Sequence, residues 1–323
     1  MLTFVLRRLV LSVVVLFVAC SASFCFFATH YEPLRGVPLP HAYWQWLRGL
    51  ATGRSFTHGI VFGPFGGQVV DSLERTLALL ALTLVFVAVF ASLLGCLAAA
   101  TRGSALDLLL RIGSYAAWAV PAFLLGLVLQ QTLGKIAGGP GLGLFPPAGW
   151  AGQCPGGLGI DLHTFRCPAA GTGIAFVGQV LYHLTLPAVA LAGGFVGLHS
   201  RYLRASLVDS LAAPYVTVAR AKGLPERTVL LRHALRNSLI AFVPAVLTDF
   251  GAIFGASLAV DWVFRLGGLG GLFVGVLNVQ STSPVLDTYA VEDLLLIGGA
   301  GVLLASLLGE LAIGFLDPRV RLG

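Results

Sequence analysis

The stretch TLALLALTLVFVAVFASLLGCLAAA, from Thr76 to Ala100, contains no charged side chain. A helix needs about 20 mostly apolar residues to cross the hydrocarbon core of a bilayer. This run is long enough, and it lacks the apolar–polar alternation of a barrel strand. In lipid, its backbone N–H and C=O groups find partners only inside a helix. It predicts a membrane-spanning helix and, with it, an all-α protein.

Outward from that segment, five further runs meet the same test. They are Leu9 to Ala28, Leu108 to Leu133, Phe176 to Leu198, Leu239 to Val260 and Leu294 to Leu316. The expectation is a single polytopic bundle of six spans over residues 1–323. Composition agrees: 57% of residues are hydrophobic and 11% charged, against about 25% charged in soluble domains. The mean hydropathy is +0.90. Such a chain cannot clothe a water-facing surface, so a soluble enzyme is excluded. The net charge of +6 is not a nucleic-acid footprint either, because the basic residues are not gathered on an aromatic-rich module.

The basic residues instead set orientation. Arg7 and Arg8 precede the first span and hold the N-terminus in the cytoplasm by the positive-inside rule. Six spans return the C-terminus to the same side, and most of the 20 Lys and Arg then fall there. The first span also has the basic start and small residues (Ala19 to Ser23) of a signal peptide. Its apolar run continues to Phe27 and five spans follow, so an uncleaved span is expected.

Three segments lie outside in this scheme. Residues 30–75 hold Tyr43, Trp44 and Trp46, the composition of an interfacial helix or, alternatively, of a receptor contact. Residues 135–175 hold Cys154 and Cys167, which face an oxidising space and are expected to pair. Cys20, Cys25 and Cys96 fall inside spans as small hydrophobes. Residues 261–293 hold Gly267-Gly268-Leu269-Gly270-Gly271. A phosphate cradle is excluded there, because no Lys-Ser/Thr follows. The chain as a whole has no G-x-x-x-x-G-K-[ST] motif, and no four-ligand metal spacing.

The cytoplasmic stretch, residues 200–238, reads SRYLRASLVDSLAAPYVTVARAKGLPERTVLLRHALRNS. Pro214 interrupts the helix descending from the fourth span. Tyr215 to Lys222 form a short helix, Gly223 caps it, and Pro225 starts the next. Tyr215, Val218, Ala219 and Lys222 share one face by helical spacing. That face fits a groove on another protein; equally, the basic residues fit anionic lipid headgroups.

YVTVARAKGLPERTVLLRHALRN resembles the coupling loop of binding-protein-dependent ABC permeases, in the dipeptide/oligopeptide/nickel branch. The likeness extends to FVLRRLVLSVVVLF, AYWQWLRGLATGRSF, VPAFLLGLVLQ, LTLPAVALA, VDWVFRLGGLGGLF and the closing DPRVR. It implies the type I importer permease fold, with six spans. It also implies a coupling site at Tyr215, Val218, Ala219, Arg220, Ala221, Lys222, Gly223, Leu224 and Arg227. The implied partners are a second homologous permease, two ATPases that hold ATP and Mg²⁺, and an external substrate-binding protein. No cofactor is expected on this chain. Thr217 replaces a Glu found in other branches, and His233-Ala234-Leu235-Arg236 replaces their Ile-x-Leu-Pro; both departures suit the peptide branch. Thr29-His30-Tyr31-Glu32-Pro33 replaces the family's Gly-Asp-Pro, so the first outer segment is expected to differ.

Two carboxylates stand apart. Asp249 lies in the fifth span and Glu310 in the sixth. Intramembrane carboxylates usually face a cavity or the bundle interior, so Asp249 is a candidate for the translocation path or for the face toward the partner permease, and Glu310 for the path or for a structural role near the cytoplasmic exit. The implied function is import of small peptides across the cytoplasmic membrane. Import of nickel or another small solute, and ion-coupled secondary transport, are the alternatives.

Overall fold

The computed structural model describes residues 2–30, 38–52, 65–134, 142–151, 172–277 and 288–316. Every regular element among them is helical: α1 (Leu2–His30), α2 (Leu39–Thr52), α3 (Phe65–Ala100), α4 (Ala105–Ala119), α5 (Ala122–Thr132), α6 (Ile174–Leu211), α7 (Pro214–Ala221), α8 (Glu226–Thr228), a π turn (Val229–Ala234), α9 (Leu235–Thr248), α10 (Phe250–Phe264), α11 (Leu269–Leu277) and α12 (Thr288–Leu316). Four stretches, Leu9–Thr29, Gln68–Ala100, Ile174–Leu211 and Glu226–Thr248, are long and apolar enough to cross a bilayer. Two bent pairs, α4 with α5 and α10 with α11, raise the number among the described residues to six if each makes one span, a set that does not include α12, where the sixth span was expected.

The span expected from Leu108 to Leu133 is bent between α4 and α5. The two helices meet at 100°. Pro121 lacks an N–H and disfavours helical backbone in the residue before it, and Val120 is accordingly extended at φ −86, ψ 122. The expected fifth span, Leu239 to Val260, is likewise divided: α9 ends and α10 begins at Asp249.

The framework is the pair α3 and α6, the most extensively packed helices, with α4 and α5 laid along α6. Small residues allow this closeness, as between membrane helices generally. A Cβ on Gly197 would lie 2.5 Å from the Ser114 carbonyl oxygen of α4, and one on Gly95 would lie 3.0 Å from the Ser200 carbonyl oxygen of α6. The main core joins α3, α6, α9 and α10 through residues such as Leu80, Val87, Leu191, Leu203, Phe242 and Ile253. α12 packs on α9 and α1.

The aromatic stretch predicted as an interfacial helix is α2, and its rings divide. Trp46 is buried and stacks on Phe24 of α1 at 5.2 Å, whereas Trp44 is 62% exposed. Ser21 Oγ and Tyr43 Oη are 2.8 Å apart, which fixes α2 to α1.

Candidate functional site

At one end of the bundle the chain leaves α6 at Leu211 and turns sharply. Pro214 occupies the first turn of α7, where its missing N–H costs nothing. α7 ends at Ala221 with Lys222 as its C-cap, and Gly223 takes the left-handed conformation at φ +75. Its N–H donates to the Arg220 carbonyl at 2.9 Å, and Leu224 N–H to Ala219 at 3.4 Å, the closure expected of a glycine cap. Pro225 precedes α8 as its cap, one position before the first-turn place predicted for it.

α7 is seated on the rest of the chain. Val216, Ala219 and Val229 are buried together against Leu211. Ala219 therefore lies on the inner side, and not on the outer face with Tyr215, Val218 and Lys222; the stripe 216–219 is the one that the turn at Pro214 directs onto the helix ends. Tyr215 is 42% and Val218 55% exposed, and Arg220, Ala221, Lys222, Gly223, Leu224 and Arg227 are also exposed. Arg220 donates to Glu226 at 2.6 and 3.2 Å, a bond that raises the guanidinium above its ordinary pKa. The elbow is thus a small, stiff ledge with an apolar and basic outer surface.

Asp249 sits at the joint between α9 and α10, partly exposed. Its Oδ2 is 3.3 Å from Nε2 of buried His199 on α6, within ion-pair range although not aligned as a hydrogen bond. His183 and His199 do not meet; His183 Nδ1 lies 3.0 Å from the Gly149 carbonyl. Glu310 belongs to α12, but its side chain lies outside those described, and Cys154 and Cys167 lie outside the described residues. Cys20, Cys25 and Cys96 are free. Among the described residues no cluster of three His, Cys, Asp or Glu is placed to hold a metal.

The structure adds groups that the sequence reading passed over. At the bundle end opposite the elbow, the glycine run does cradle an anion, and the anion is the chain's own. Asp261 is buried; Oδ1 accepts from Gly268 N–H at 3.0 Å and Oδ2 from Gly271 N–H at 2.7 Å. Leu269 N–H donates to Thr76 Oγ1 at 2.9 Å, Ser72 Oγ to the Gly267 carbonyl at 3.1 Å, and Arg75 Nη1 to the Leu266 carbonyl at 3.1 Å. α3 is thereby clasped to the corner between α10 and α11. Nearer the elbow, Arg204 of α6 grips buried Asp107 of α4 through two bonds of 2.6 and 2.7 Å. Ser104 caps α4 by accepting from Asp107 N–H, and the pattern Ser104-x-x-Asp107 is a legible signal of it. Glu292 and Asp293 of α12 are also buried.

An all-helical bundle with apolar spans and a braced elbow at one end has the architecture of a membrane component, and no group of three or more His, Cys, Asp or Glu is gathered among its described residues. The family of binding-protein-dependent transport system inner membrane components matches residues 91–322, and the chain belongs to it. A putative peptide permease protein of Brucella suis biovar 1 is 28% identical over 287 residues, 88% of this chain and 80% of that protein. The dipeptide transport system permease protein of Bacillus subtilis is 28% identical over 289 residues, with the same coverage. The oligopeptide transport system permease protein AppB of that organism is 29% identical over 284 residues, 86% of this chain and 79% of the relative.

Proposed function

We propose that this chain is a membrane-spanning half of an ATP-driven importer that carries small peptides across the cytoplasmic membrane, with both its termini in the cytoplasm. The relatives named for peptide, dipeptide and oligopeptide transport support the substrate class. A second, homologous permease completes the path. Two ATPase subunits hold ATP and Mg²⁺, and an external binding protein delivers the peptide. Asp249 and Glu310 line the route or its walls.

The observation that carries this reading is the elbow. α7 turns Tyr215, Val218 and Lys222 outward while Val216 and Ala219 seat it against Leu211 and Val229. A helix held this way can be pushed by a partner without sinking into its own protein. The test is co-purification of ATPase subunits with the chain from native membranes, wild type against Val218→Glu. Val218 is 55% exposed, so the exchange leaves the fold intact and puts a charge on the docking face. Loss of the ATPase subunits with an unchanged melting profile is expected. Their retention on Val218→Glu overturns the docking assignment. If no ATPase accompanies the wild type and uptake follows an ion gradient, secondary transport takes its place.

A further inference from the structure

Between the elbow and the ends of α3 and α6 lies a cleft of about 380 Å³. Its floor is apolar, with Ala100 and Leu211, and its rim carries Arg102, Arg220, Glu226 and Arg227. Arg220 and Glu226 neutralise each other at 2.6 Å. Arg102 and Arg227 are exposed, and among the described residues neither has a hydrogen bond or an ion pair. Two guanidinium charges therefore stand uncompensated on one small concavity. A planar guanidinium presents a fork of donors that matches phosphate oxygens.

The cleft is also placed for a lipid. Ala100 is the last residue of α3, so the cleft opens where the apolar span ends. On the same face of α3, Val89, Leu93 and Leu97 recur at helical spacing below Ala100 and are 47%, 60% and 42% exposed. An apolar stripe leading up a spanning helix to a pair of free guanidinium groups matches an acyl chain joined to an anionic headgroup. We propose that the cleft binds an anionic phospholipid of the cytoplasmic leaflet. The headgroup phosphate sits between Arg102 and Arg227, and an acyl chain lies along Val89, Leu93 and Leu97. The orientation rests on the reading given under Proposed function. Because Arg102 belongs to the turn between α3 and α4 and Arg227 to the elbow, the lipid joins the elbow to the bundle and steadies it for coupling.

The test uses the complete transporter in nanodiscs of phosphatidylcholine, alone or with phosphatidylglycerol. Retained phosphatidylglycerol is measured by native mass spectrometry, and peptide-stimulated ATP turnover is measured alongside. Loss of one basic contact should lower phosphatidylglycerol retention by Arg102→Gln roughly fivefold. Its stimulation by phosphatidylglycerol should disappear, while turnover in phosphatidylcholine alone and the bound ATPase subunits remain as in wild type. Arg102→Lys should recover part of the retention. Arg232→Gln, which removes an exposed charge outside the cleft, should retain as much lipid as wild type. Equal losses in Arg102→Gln and Arg232→Gln would reduce the effect to general surface attraction and overturn the site. Displacement of the lipid by inorganic phosphate at equal effect would assign the cleft to a soluble anion and overturn the lipid. Absence of ATPase subunits from the wild type would refute the coupling reading alone, since lipid retention is read separately.

Discussion

Replacing Asp261 with alanine should loosen the corner between α10 and α11 and lower the stability of the whole bundle. The carboxylate accepts two backbone N–H groups, from Gly268 at 3.0 Å and Gly271 at 2.7 Å, at a site where the side chain is almost fully enclosed. A hydrogen bond to a charged acceptor contributes about 1.5–3 kcal/mol net, so losing two costs roughly 3–6 kcal/mol. For a chain of this size each kcal/mol corresponds to roughly 2 °C of melting temperature, so a fall of about 6–12 °C is expected. Asp261→Asn keeps one acceptor oxygen and should lose about half as much. Gly268→Ala tests the same clasp from the other side, because its Cβ would come within 2.6 Å of Thr76 Oγ1 and 3.0 Å of Asp261 Oδ2. The assay is thermal unfolding of the purified chain in mild detergent, followed by tryptophan fluorescence. An Asp261→Ala melting point within about 1 °C of wild type would mean that the clasp does not hold the corner, the two N–H groups being satisfied by water instead.

Gly197→Val should destabilise the contact of α6 with α4 by about 1–3 kcal/mol, seen as a lower melting temperature. Ser114→Ala should not rescue it, because the obstructing atom is the Ser114 carbonyl oxygen. Removal of Asp107 leaves the Arg204 guanidinium without its two bonds and should cost about 3 kcal/mol or more; in a double-mutant cycle with Arg204→Ala, a coupling energy below about 0.5 kcal/mol would contradict a working pair. Asp249→Asn should reduce peptide uptake while the assembled complex persists, and unchanged uptake would remove Asp249 from the translocation route. Thiol alkylation of protein from oxidising membranes should leave Cys154 and Cys167 unmodified until reduction; labelling of both beforehand refutes the disulfide.

The helical membrane fold was legible because spanning lipid demands long uncharged runs, and such runs advertise themselves. Helix breaks were less legible. Pro121, Pro187 and Pro244 can each kink or start a helix, but only packing decides which does: Pro121 precedes α5 at a sharp bend, whereas Pro187 and Pro244 lie inside α6 and α9. The elbow was readable almost residue by residue, since Pro214, Gly223 and Pro225 act through local backbone rules. The inward turn of Ala219 was not, because it depends on what α7 packs against. Nor was the π turn, Val229–Ala234, which has no local residue signature. The glycine run illustrates the limit best: a phosphate cradle was excluded there, and the anion it does hold, Asp261, was taken for an ordinary loop boundary. Likewise His199 and Asp249 are neighbours only because α6 and the joint between α9 and α10 come together in the folded chain.

These contacts divide the molecule into parts that move together and parts that do not. α3, α4 and α6 are joined by backbone-close glycines at positions 95 and 197 and by the Asp107–Arg204 bonds, so they form one stiff body. α7 rests on Leu211, the last residue of that body, and on Val229, where the π turn toward α9 begins. A load on the outer face of α7 is therefore delivered to two places at once: to α6 along its axis, and to α9 through a π turn, an irregularity that often marks functional sites in helices. α9 is interrupted by Asp249, and it is there that His199 of the stiff body faces it at 3.3 Å. Any movement of α9 relative to α6 must change that pair. Asp249, which the sequence offered as a candidate for the translocation path, thus stands at the joint where motion started at the elbow would reach the interior of the bundle.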